Sequence, residues 1–425
     1  MAVRTEPFVS APIPVGTKGV PAASIGRPAS AMAEGRWGLF DGDVLFPACI
    51  LKRSAIDGNR AAMREFLRDT SLHLAPHGKT TLAPQLFALQ EEDGVWGFTA
   101  ATVAHVQTYR QAGIDRIFYA NQLVDPTGLS YVLDELAADP AFEFFSLVDS
   151  GRGARLLAEA ALARGLERPL DVLIEIGMPG TRGGVRTEEE AIALMSAIDA
   201  LPQLRLRGVE AFEGVVSLDR AGAERVRRQL DLVRRTAAHI STGLPGDMRL
   251  IFSAGGSAFL EQVAEEMAKW PFPADYVLRS GCYITNDHGM YARAQRDPDL
   301  RGAIGFRRPF QPAIEVWGHV LSRPEPNRVI VGIGKRDISY DIEPPRPVGW
   351  ARRGSMMAEA LSDGLAVSGL NDQHAWITLP VDHPIDVGDL MALGCSHPCT
   401  TFDKWKYLLM VDDDYRILDA VVTQF

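Results

Sequence analysis

The stretch that decides the fold lies at residues 248–283 and reads MRLIFSAGGSAFLEQVAEEMAKWPFPADYVLRSGCY. Apolar runs at 248–253 and 275–279 have the length and composition of buried strands. Between them, residues 257–270 carry the spaced apolar positions of an amphipathic helix. The sequence therefore predicts two parallel strands joined by a helix, which is the repeating unit of an α/β fold.

The same unit recurs toward the N-terminus. Eight such units in series favour a closed, TIM-like (β/α)8 barrel over an open sheet. An additional apolar run at 44–51, followed by a predicted helix at 55–68, precedes the first unit. The other six predicted barrel strands are residues 74–79, 95–100, 116–121, 143–149, 170–176 and 204–212.

After about residue 305 the pattern changes to short strands separated by Pro and Gly, and the chain ends in a predicted hairpin. This predicts a barrel at 38–304 and a mostly β domain at 305–425. Residues 1–37 are rich in Ala, Pro, Ser and Gly and are predicted to form a flexible arm. The predicted strands of the second domain are 314–320, 328–331, 376–379, 390–393, 407–411 and 415–423.

Composition excludes several classes of protein. The net charge is −10 and no basic residues cluster, so no nucleic-acid partner is expected. No run approaches the ~20 apolar residues that span a bilayer, so no membrane association is expected. The chain lacks the pattern of a secretory signal, and its four cysteines are too few for a disulfide framework. These features predict a cytoplasmic protein.

The ends of the predicted strands carry the candidate site, because active sites of such barrels lie there. Lys79 follows the first strand in LAPHGKTT (74–81), where a solvated lysine would be the simpler explanation on position alone. The turns SAGGS (253–257) and RSGCY (279–283) follow strands seven and eight, the common phosphate site of these barrels. A lysine opposite a phosphate site suggests pyridoxal phosphate, which requires both.

Three other residues are candidates at the same mouth. Arg182 in GTRGGV (180–185) could place a cation near the cofactor ring oxygen or a substrate carboxylate, although a solvated loop arginine fits equally well. The amide of Asn121 is suited to hydrogen bonding, and the hydroxyl of Tyr283 to binding or proton transfer.

A second motif, GCSHPCTTFD (394–403), lies in the predicted β domain. In extended backbone, His397 and Cys399 point the same way, and this pair suits Zn²⁺. Cys395 is expected to be packed. Two ligands are too few for a structural zinc site, and in isolation a chance His-x-Cys pair would be the simpler explanation.

Taken together and in order, the motifs resemble the fold-type III pyridoxal-phosphate enzymes. Within them the chain is similar to the D-serine dehydratase and D-threonine aldolase family, in its bacterial "amino acid deaminase" branch. The resemblance covers the chain from about residue 38 to the end. It rests on PHGKT (76–80), ANQLV (120–124), LVDS (147–150), GTRGGV, AFEG (211–214), SAGGS, RSGCY and SHPC (396–399).

The resemblance implies an alanine racemase-like barrel with a C-terminal β domain. It also implies a homodimer, with active sites between the barrel of one subunit and the β domain of the other. Lys79 would carry the cofactor as a Schiff base, and His397 and Cys399 would hold Zn²⁺ or another divalent ion such as Mn²⁺. The residues expected to bind the cofactor are His77, Lys79, Asn121, Arg182, Gly255, Gly256, Ser257, Gly281, Cys282 and Tyr283.

The implied substrate is a small D-β-hydroxy amino acid such as D-serine or D-threonine. Lys79 would remove the Cα proton and the metal would assist loss of the β-hydroxyl, giving a 2-oxo acid and ammonia. Removal of the hydroxyl proton instead would give aldol cleavage to glycine and an aldehyde. The aldolase branch tends to carry Asp at the second metal position, so Cys399 favours elimination. An amino-acid racemase or a non-catalytic vitamin B6-binding protein would also be compatible with the barrel and its lysine.

Overall fold

The computed structural model of the chain describes residues 2–243, 249–359, 361 and 364–425. Met248, the first residue of one predicted strand, lies outside the described residues. The strands are β1 (Ala48–Lys52), β2 (His73–Leu74), β3 (Phe98–Ala100), β4 (Arg116–Gln122), β5 (Glu143–Val148), β6 (Leu170–Ile176), β7 (Leu204–Ala211), β8 (Leu250–Ser253), β9 (Ala274–Leu278), β10 (Ile314–Glu325), β11 (Arg328–Val331), β12 (Arg346–Ala351), β13 (Ala366–Leu370), β14 (Ala375–Thr378), β15 (Leu390–Gly394), β16 (Tyr407–Val411) and β17 (Ile417–Val422).

The helices alternate with the strands through the first two-thirds of the chain. They are α1 (Glu6–Val9), α2 (Arg53–Thr70), α3 (Pro84–Glu92), α4 (Val103–Gln111), α5 (Pro126–Ala138), α6 (Gly151–Arg164), α7 (Glu188–Asp199), α8 (Arg220–Gly243), α9 (Leu260–Met267), α10 (Met290–Ala294) and α11 (Cys399–Phe402). Among the residues that the structure describes, none of these helices has the length and apolar character needed to cross a membrane.

The strands β2 to β9 form the predicted barrel. Neighbouring strands are parallel and follow the order β2, β9, β8, β7, β6, β5, β4, β3. The two ends meet at a parallel bridge between His77 and Thr99, and the backbone N–H of Trp96 donates to the Leu74 carbonyl at 2.8 Å. Apolar side chains fill the interior, including Phe118 and Phe145, so the barrel is a packed core with its site at the mouth. The predicted fold class is confirmed.

The first barrel strand is shorter than predicted. It ends at Leu74, and Lys79 lies in the 3-10 turn Gly78–Thr80 rather than at a strand end. Pro76 explains the difference, because it has no backbone N–H to donate to a strand ladder. The turn still places Lys79 at the mouth of the barrel.

The second sheet is mostly antiparallel and contains the C-terminal strands, as predicted. Its main path runs β13, β14, β11, β10, β1, β16, β17, and β12 joins through β15, which pairs with β10. The sequence did not predict β12 and β13. The strand β1 pairs antiparallel with β10 and parallel with β16. The predicted barrel region 38–304 therefore contributes one strand to the second sheet.

The N-terminal segment is ordered, in contrast to the predicted flexible arm at 1–37. Ile13, Val20 and Met32 are at most 1 % exposed and pack in one cluster with residues of the second sheet. The backbone N–H of Gly19 donates to the Leu45 carbonyl at 2.8 Å, and the ammonium of Lys18 lies 2.6 Å from the Asp337 carboxylate. The prediction of flexibility was wrong because it weighed overall composition and missed these isolated apolar anchors.

A buried histidine predicts how stability changes with pH. Burial, with the charges of Lys52 and Arg346, lowers the pKa of His288 from 6.5 to about 4. The unfolded chain therefore takes up a proton at higher pH than the folded chain, so stability falls as the pH drops from about 6.5 toward 4. We expect His288 to account for about 2 kcal/mol of lost stability between pH 7 and pH 5.

The variant His288→Leu should lose this part of the pH dependence. Chemical unfolding of both proteins at pH 7 and pH 5 measures it, with His374→Leu, at an exposed histidine, as the control. An unchanged pH dependence in His288→Leu would contradict the prediction.

Candidate active site

A cavity of about 320 Å³ lies between the C-terminal ends of the barrel strands and loops of the second domain. This volume falls in the range of small-molecule sites. The cavity brings together ten of the residues predicted from sequence: His77, Lys79, Asn121, Arg182, Gly256, Ser257, Gly281, Cys282, His397 and Cys399.

Lys79 is held at the cavity by a tightly packed turn. A Cβ atom on the preceding Gly78 would lie 2.4 Å from the Tyr109 hydroxyl oxygen, so only glycine fits there. Burial and then the charge of Lys79 hold the pKa of His77 well below its usual value, and they lower the pKa of His105 to about 4. Both imidazoles are therefore neutral near pH 7.

One wall of the cavity is built from glycine and serine. A Cβ on Gly281 would lie 2.4 Å from the His77 carbonyl oxygen, so the close approach of these two turns requires glycine. The hydroxyl oxygen of Ser257 lies on this wall, 2.9 Å from the hydroxyl oxygen of Ser280, which does not line the cavity. The wall combines space with hydroxyl donors, which suits a tetrahedral anion.

The backbone amides of Gly255 and Gly256, two residues expected to bind the cofactor, are not free. Gly255 and Gly256 donate to the carboxylate of Glu213 at 3.2 and 2.5 Å. Glu213 is fully buried and needs these donors. Gly255 does not line the cavity, and its predicted contact with the cofactor is not supported.

Tyr283 is also not at the cavity. It is buried, and its hydroxyl oxygen accepts a hydrogen bond from Gln90 Nε2 at 3.3 Å. The predicted role in phosphate binding or proton transfer is therefore not supported. Tyr291 lines the cavity instead. Sequence reasoning missed it because it follows the last barrel strand by many residues, with no spacing that marks it.

Two buried carboxylates, which the sequence analysis also missed, line the cavity floor. Glu175 and Glu210 are partners in the register between β6 and β7, so they lie side by side. Gln122 donates to Glu175, and Arg279 donates to Glu210. Burial raises the pKa of Glu210 to about 7, opposed by Arg279 and assisted by Glu175. The signal was present, since each is an acid near the C-terminal end of a largely buried strand.

Asn121 and Arg182 lie at the outer edge of the cavity. The amide of Asn121 donates to the Ala101 carbonyl at 3.2 Å. The guanidinium of Arg182 lies 4.9 Å from the centre of the Phe212 ring. Arg182 is therefore held by a cation–π contact and keeps its donors available for an anion.

The predicted metal pair faces Lys79 from the second domain. The His397 Nδ1 atom lies 2.6 Å from Asp341 Oδ2, and Cys399 Sγ lies 3.4 Å from Thr80 Oγ1. Burial lowers the pKa of His397, but the contacts with Cys399 and Asp341 outweigh it and raise the pKa to about 9. No group of three or more His, Cys, Asp or Glu side chains that could hold a metal ion occurs in the described part of the chain.

The contact with Asp341 predicts a variant that weakens metal binding without removing a ligand. Asp341 holds Nδ1–H of His397, which leaves Nε2 as the ring's electron-pair donor. We expect Asp341→Asn to lower Zn²⁺ affinity by about 10- to 100-fold. Competition with a coloured chelator measures this, and Asp372→Asn, at an exposed carboxylate, is the matched control. Equal affinities in the three proteins would contradict it.

The residues present fit both groups that the resemblance implies. His77 Nδ1 and Arg279 Nε are buried without a hydrogen-bond partner in the described residues, so the cavity wall has polar atoms that a bound ring could satisfy. The glycine and serine wall accommodates a phosphate group. A thiol and an imidazole, the latter oriented by a carboxylate, are ligands that Zn²⁺ prefers.

Comparison with known proteins places these features in a family. Residues 51–281 match the family model described as "Alanine racemase, N-terminal domain", and residues 313–411 match the model described as "Putative serine dehydratase domain". The chain is 25 % identical over 374 residues to a D-threonine aldolase from Arthrobacter sp, covering 86 % of this chain and 89 % of that protein.

The chain is also similar in sequence to a second aldolase and in structure to a dehydratase. A 3-hydroxy-D-aspartate aldolase from Paracoccus denitrificans (strain Pd 1222) is 25 % identical over 313 residues, which are 72 % of this chain and 76 % of that protein. The structure of D-threo-3-hydroxyaspartate dehydratase from Delftia sp. HT23 superposes with a TM-score of 0.70 at 20 % identity, covering 91 % of this chain and 98 % of that one. This last similarity shows that the fold is shared.

Proposed function

The chain belongs to the alanine racemase N-terminal domain family, that of the fold-type III pyridoxal-phosphate-dependent enzymes, and on this premise we propose that it dehydrates D-β-hydroxy amino acids with the help of a metal ion. The products would be a 2-oxo acid and ammonia. One observation carries the proposal: Lys79 of the barrel and the His397–Cys399 pair of the second domain line a single cavity. A base and a metal-binding pair can then act on the same substrate molecule.

Residues of the barrel would hold the cofactor. The amine of Lys79 would bind its aldehyde carbon, and Ser257, Gly256 and Gly281 would surround its phosphate. When bound, pyridoxal phosphate withdraws electrons from the substrate Cα and so weakens the bonds to that carbon. His77, neutral because of its lowered pKa, would contact the ring without adding charge.

Lys79 would then move the proton. Its amine takes the proton from the substrate Cα, which the cavity geometry supports because no other lysine lines the cavity in the described residues. His77 and His105 are poor substitutes, because their lowered pKa values make them weak bases. Arg182 is placed to bind the substrate carboxylate at the cavity mouth.

His397 and Cys399 would hold Zn²⁺, or another divalent ion such as Mn²⁺, which supplies Lewis-acid assistance to a departing hydroxyl. Asp341 fixes the imidazole of His397 through the 2.6 Å contact with Nδ1. Two protein ligands leave coordination positions open for the substrate, as catalytic metal sites require.

The test is a product assay on the purified metal-containing protein. D-serine, D-threonine and D-3-hydroxyaspartate are supplied with and without a chelator, and 2-oxo acid, glycine, aldehyde and racemised amino acid are measured. We expect 2-oxo acid whose release stops on chelation and returns with added Zn²⁺. Glycine plus aldehyde would establish the aldolase instead, whereas racemisation that ignores the chelator would contradict the role of the metal.

Aldol cleavage is the second candidate function, because two similar relatives are described as aldolases. The two reactions differ in which substrate proton is removed. At Cys399, an aspartate would replace a thiolate ligand with a harder carboxylate. We expect Cys399→Asp to lower 2-oxo acid release about tenfold or more while raising the ratio of glycine to 2-oxo acid.

The matched control for this change is Cys395→Ala, which alters a nearby buried thiol that does not line the cavity. Its product ratio should equal that of the unmodified protein. A Cys399→Asp variant with the original ratio would show that this position does not choose between the two reactions.

We also propose that the protein is a homodimer. Large apolar side chains are exposed on the second domain, including Met357 at 73 % and Trp376 at 41 %, and an interface between two copies would cover them. In contrast to the arrangement that the resemblance implies, His397 and Cys399 line the cavity of their own chain. Light scattering during size-exclusion chromatography tests the dimer, and a monomeric mass would contradict it.

We propose in addition that the protein resides in the cytoplasm. All four cysteines are free thiols, and this fits a reducing cytoplasmic environment.

A further inference from the structure

Two cysteines from different parts of the fold meet at the cavity. Cys282 begins the 3-10 turn Cys282–Ile284, which follows the last barrel strand, and Cys399 begins α11 of the second domain. Their Sγ atoms lie 3.6 Å apart, although the residues are 117 positions apart in sequence. The predicted roles of Cys282 in cofactor binding and of Cys399 in metal binding do not explain this contact.

We propose that Cys282 and Cys399 are the site of a reversible oxidative cross-link, which removes Cys399 as a metal ligand. The sulfur atoms are already in van der Waals contact, and a disulfide would bring them from 3.6 Å to a bond length of about 2.05 Å. The hydroxyl of Thr80 lies 3.4 Å from Cys399 Sγ and 3.9 Å from Cys282 Sγ, on the same side of the pair. No backbone segment separates the two sulfur atoms at this distance.

A small oxidant can reach both sulfur atoms. Cys282 and Cys399 line the cavity, which is much larger than a peroxide molecule. The other two cysteines, Cys49 and Cys395, are 0 % and 2 % exposed and do not line it. Reactivity of thiols follows access, so oxidation is directed to the pair.

The chemistry balances with hydrogen peroxide as the oxidant. The Cys399 sulfur attacks one peroxide oxygen, the O–O bond breaks, and one water leaves, so that Cys399 becomes a sulfenic acid. The Cys282 sulfur then attacks the Cys399 sulfur, the S–O bond breaks, and a second water leaves as the disulfide forms. The two thiols lose two electrons and two protons in total, and the peroxide is reduced to two molecules of water.

The consequence for the metal rests on the proposed function. A thiolate that binds Zn²⁺ is not free to attack an oxidant, so a bound ion should protect the pair. Conversely, a disulfide at Cys399 would prevent this residue from binding the metal, and His397 would be the only ligand left of the pair. The cavity would then respond to oxidants only when its metal has been lost.

The experiment uses the full-length protein in three states: as purified, treated with a chelator, and reloaded with Zn²⁺. Each is exposed to hydrogen peroxide and then analysed by intact mass and by non-reducing peptide mapping. We expect the chelated protein to lose two hydrogens, to yield a linked Cys282–Cys399 peptide, and to recover with dithiothreitol. The Zn²⁺-loaded protein should form the link about tenfold or more slowly.

Two variants complete the test. In Cys282→Ser, which keeps the size of the side chain, Cys399 has no partner and should gain two oxygens as a sulfinic acid instead. Cys49→Ala, the matched control at a buried cysteine outside the cavity, should cross-link like the unmodified protein. Cross-links that involve Cys49 or Cys395, or sulfinic acid without any cross-link in the unmodified protein, would overturn the proposal.

The zinc content of the untreated protein separates the two proposals. Cross-linking that proceeds equally with and without Zn²⁺, in a protein that binds no zinc at Cys399, would refute the metal site and leave the cross-link standing.

Discussion

Alanine in place of Lys79 is expected to abolish the visible absorption of bound pyridoxal phosphate and to lower product release by about 10⁴-fold or more. Lys79 would serve twice, since its amine would both bind the cofactor aldehyde and take the substrate Cα proton. The neighbouring imidazoles of His77 and His105 cannot replace it, because the pKa of each is lowered. The loss should therefore be nearly complete.

Reconstitution of the apoprotein with pyridoxal phosphate, followed by an absorption spectrum, measures the first effect, and the product assay measures the second. The matched control is Lys335→Ala, at a lysine of the second domain that does not line the cavity. Its spectrum and rate should equal those of the unmodified protein. If the visible absorption survives in Lys79→Ala, another residue binds the cofactor and the assignment of Lys79 fails.

Alanine in place of His397 is expected to reduce bound zinc from about one equivalent to almost none and to lower 2-oxo acid release by about 10³-fold. Among the described residues, no group of three or more His, Cys, Asp or Glu side chains that could hold a metal ion occurs. Loss of one of two ligands should therefore empty the site. Absorption of the bound cofactor should be retained, because Lys79 and the phosphate wall belong to the barrel.

Elemental analysis after dialysis and the product assay together measure this result. His319→Ala is the matched control, at an exposed histidine of the second domain whose Nδ1 lies 3.3 Å from the Gly388 carbonyl oxygen. It should keep both zinc and activity. A His397→Ala variant that keeps its zinc would exclude the predicted site, and one that loses zinc but not activity would exclude the metal from the reaction.

The barrel could be predicted from sequence because its signal is local and repeated. All eight predicted runs overlap a strand in the structure, since each buried parallel strand is a short apolar segment followed by an amphipathic helix. The prediction was least accurate at the first strand, which ends at Leu74. Pro76 cannot donate a backbone hydrogen bond, and among the described residues beyond it only the bridge between His77 and Thr99 continues the pairing.

The N-terminal segment could not be predicted in the same way. Its burial depends on a surface built by residues more than 300 positions later, such as the Asp337 carboxylate that holds Lys18. Composition indicates whether a segment can fold by itself. Ile13 and Val20 are buried because they pack against apolar side chains of the second sheet. Pro14, Gly16 and Gly19 lie between them, so no helical or strand pattern marks the two residues as buried.

The candidate site was predicted where a motif follows directly after a strand. Lys79 and Ser257 reach the cavity from such positions. The position of a motif does not show in which direction its side chains point. For this reason Tyr283 and Gly255 were predicted to lie at the cavity but do not line it. The amides of Gly255 and Gly256 donate to the carboxylate of Glu213. A strand pattern cannot predict that a carboxylate accepts the hydrogen bonds expected for a phosphate.

Because β1 pairs parallel with β16, the second sheet combines a strand from near the N-terminus with strands from the C-terminal part of the chain. A ribosome adding about 5 to 20 residues per second would expose β1 for roughly 20 to 75 s before its partner strand is made. During that time the barrel can fold, because its strands β2 to β9 are consecutive in the chain. The second sheet cannot form fully until its last strands, β16 and β17, have been synthesised. Its high contact order predicts that this sheet folds late and slowly, after the barrel. The metal pair His397–Cys399 would then be assembled as one of the final events of folding.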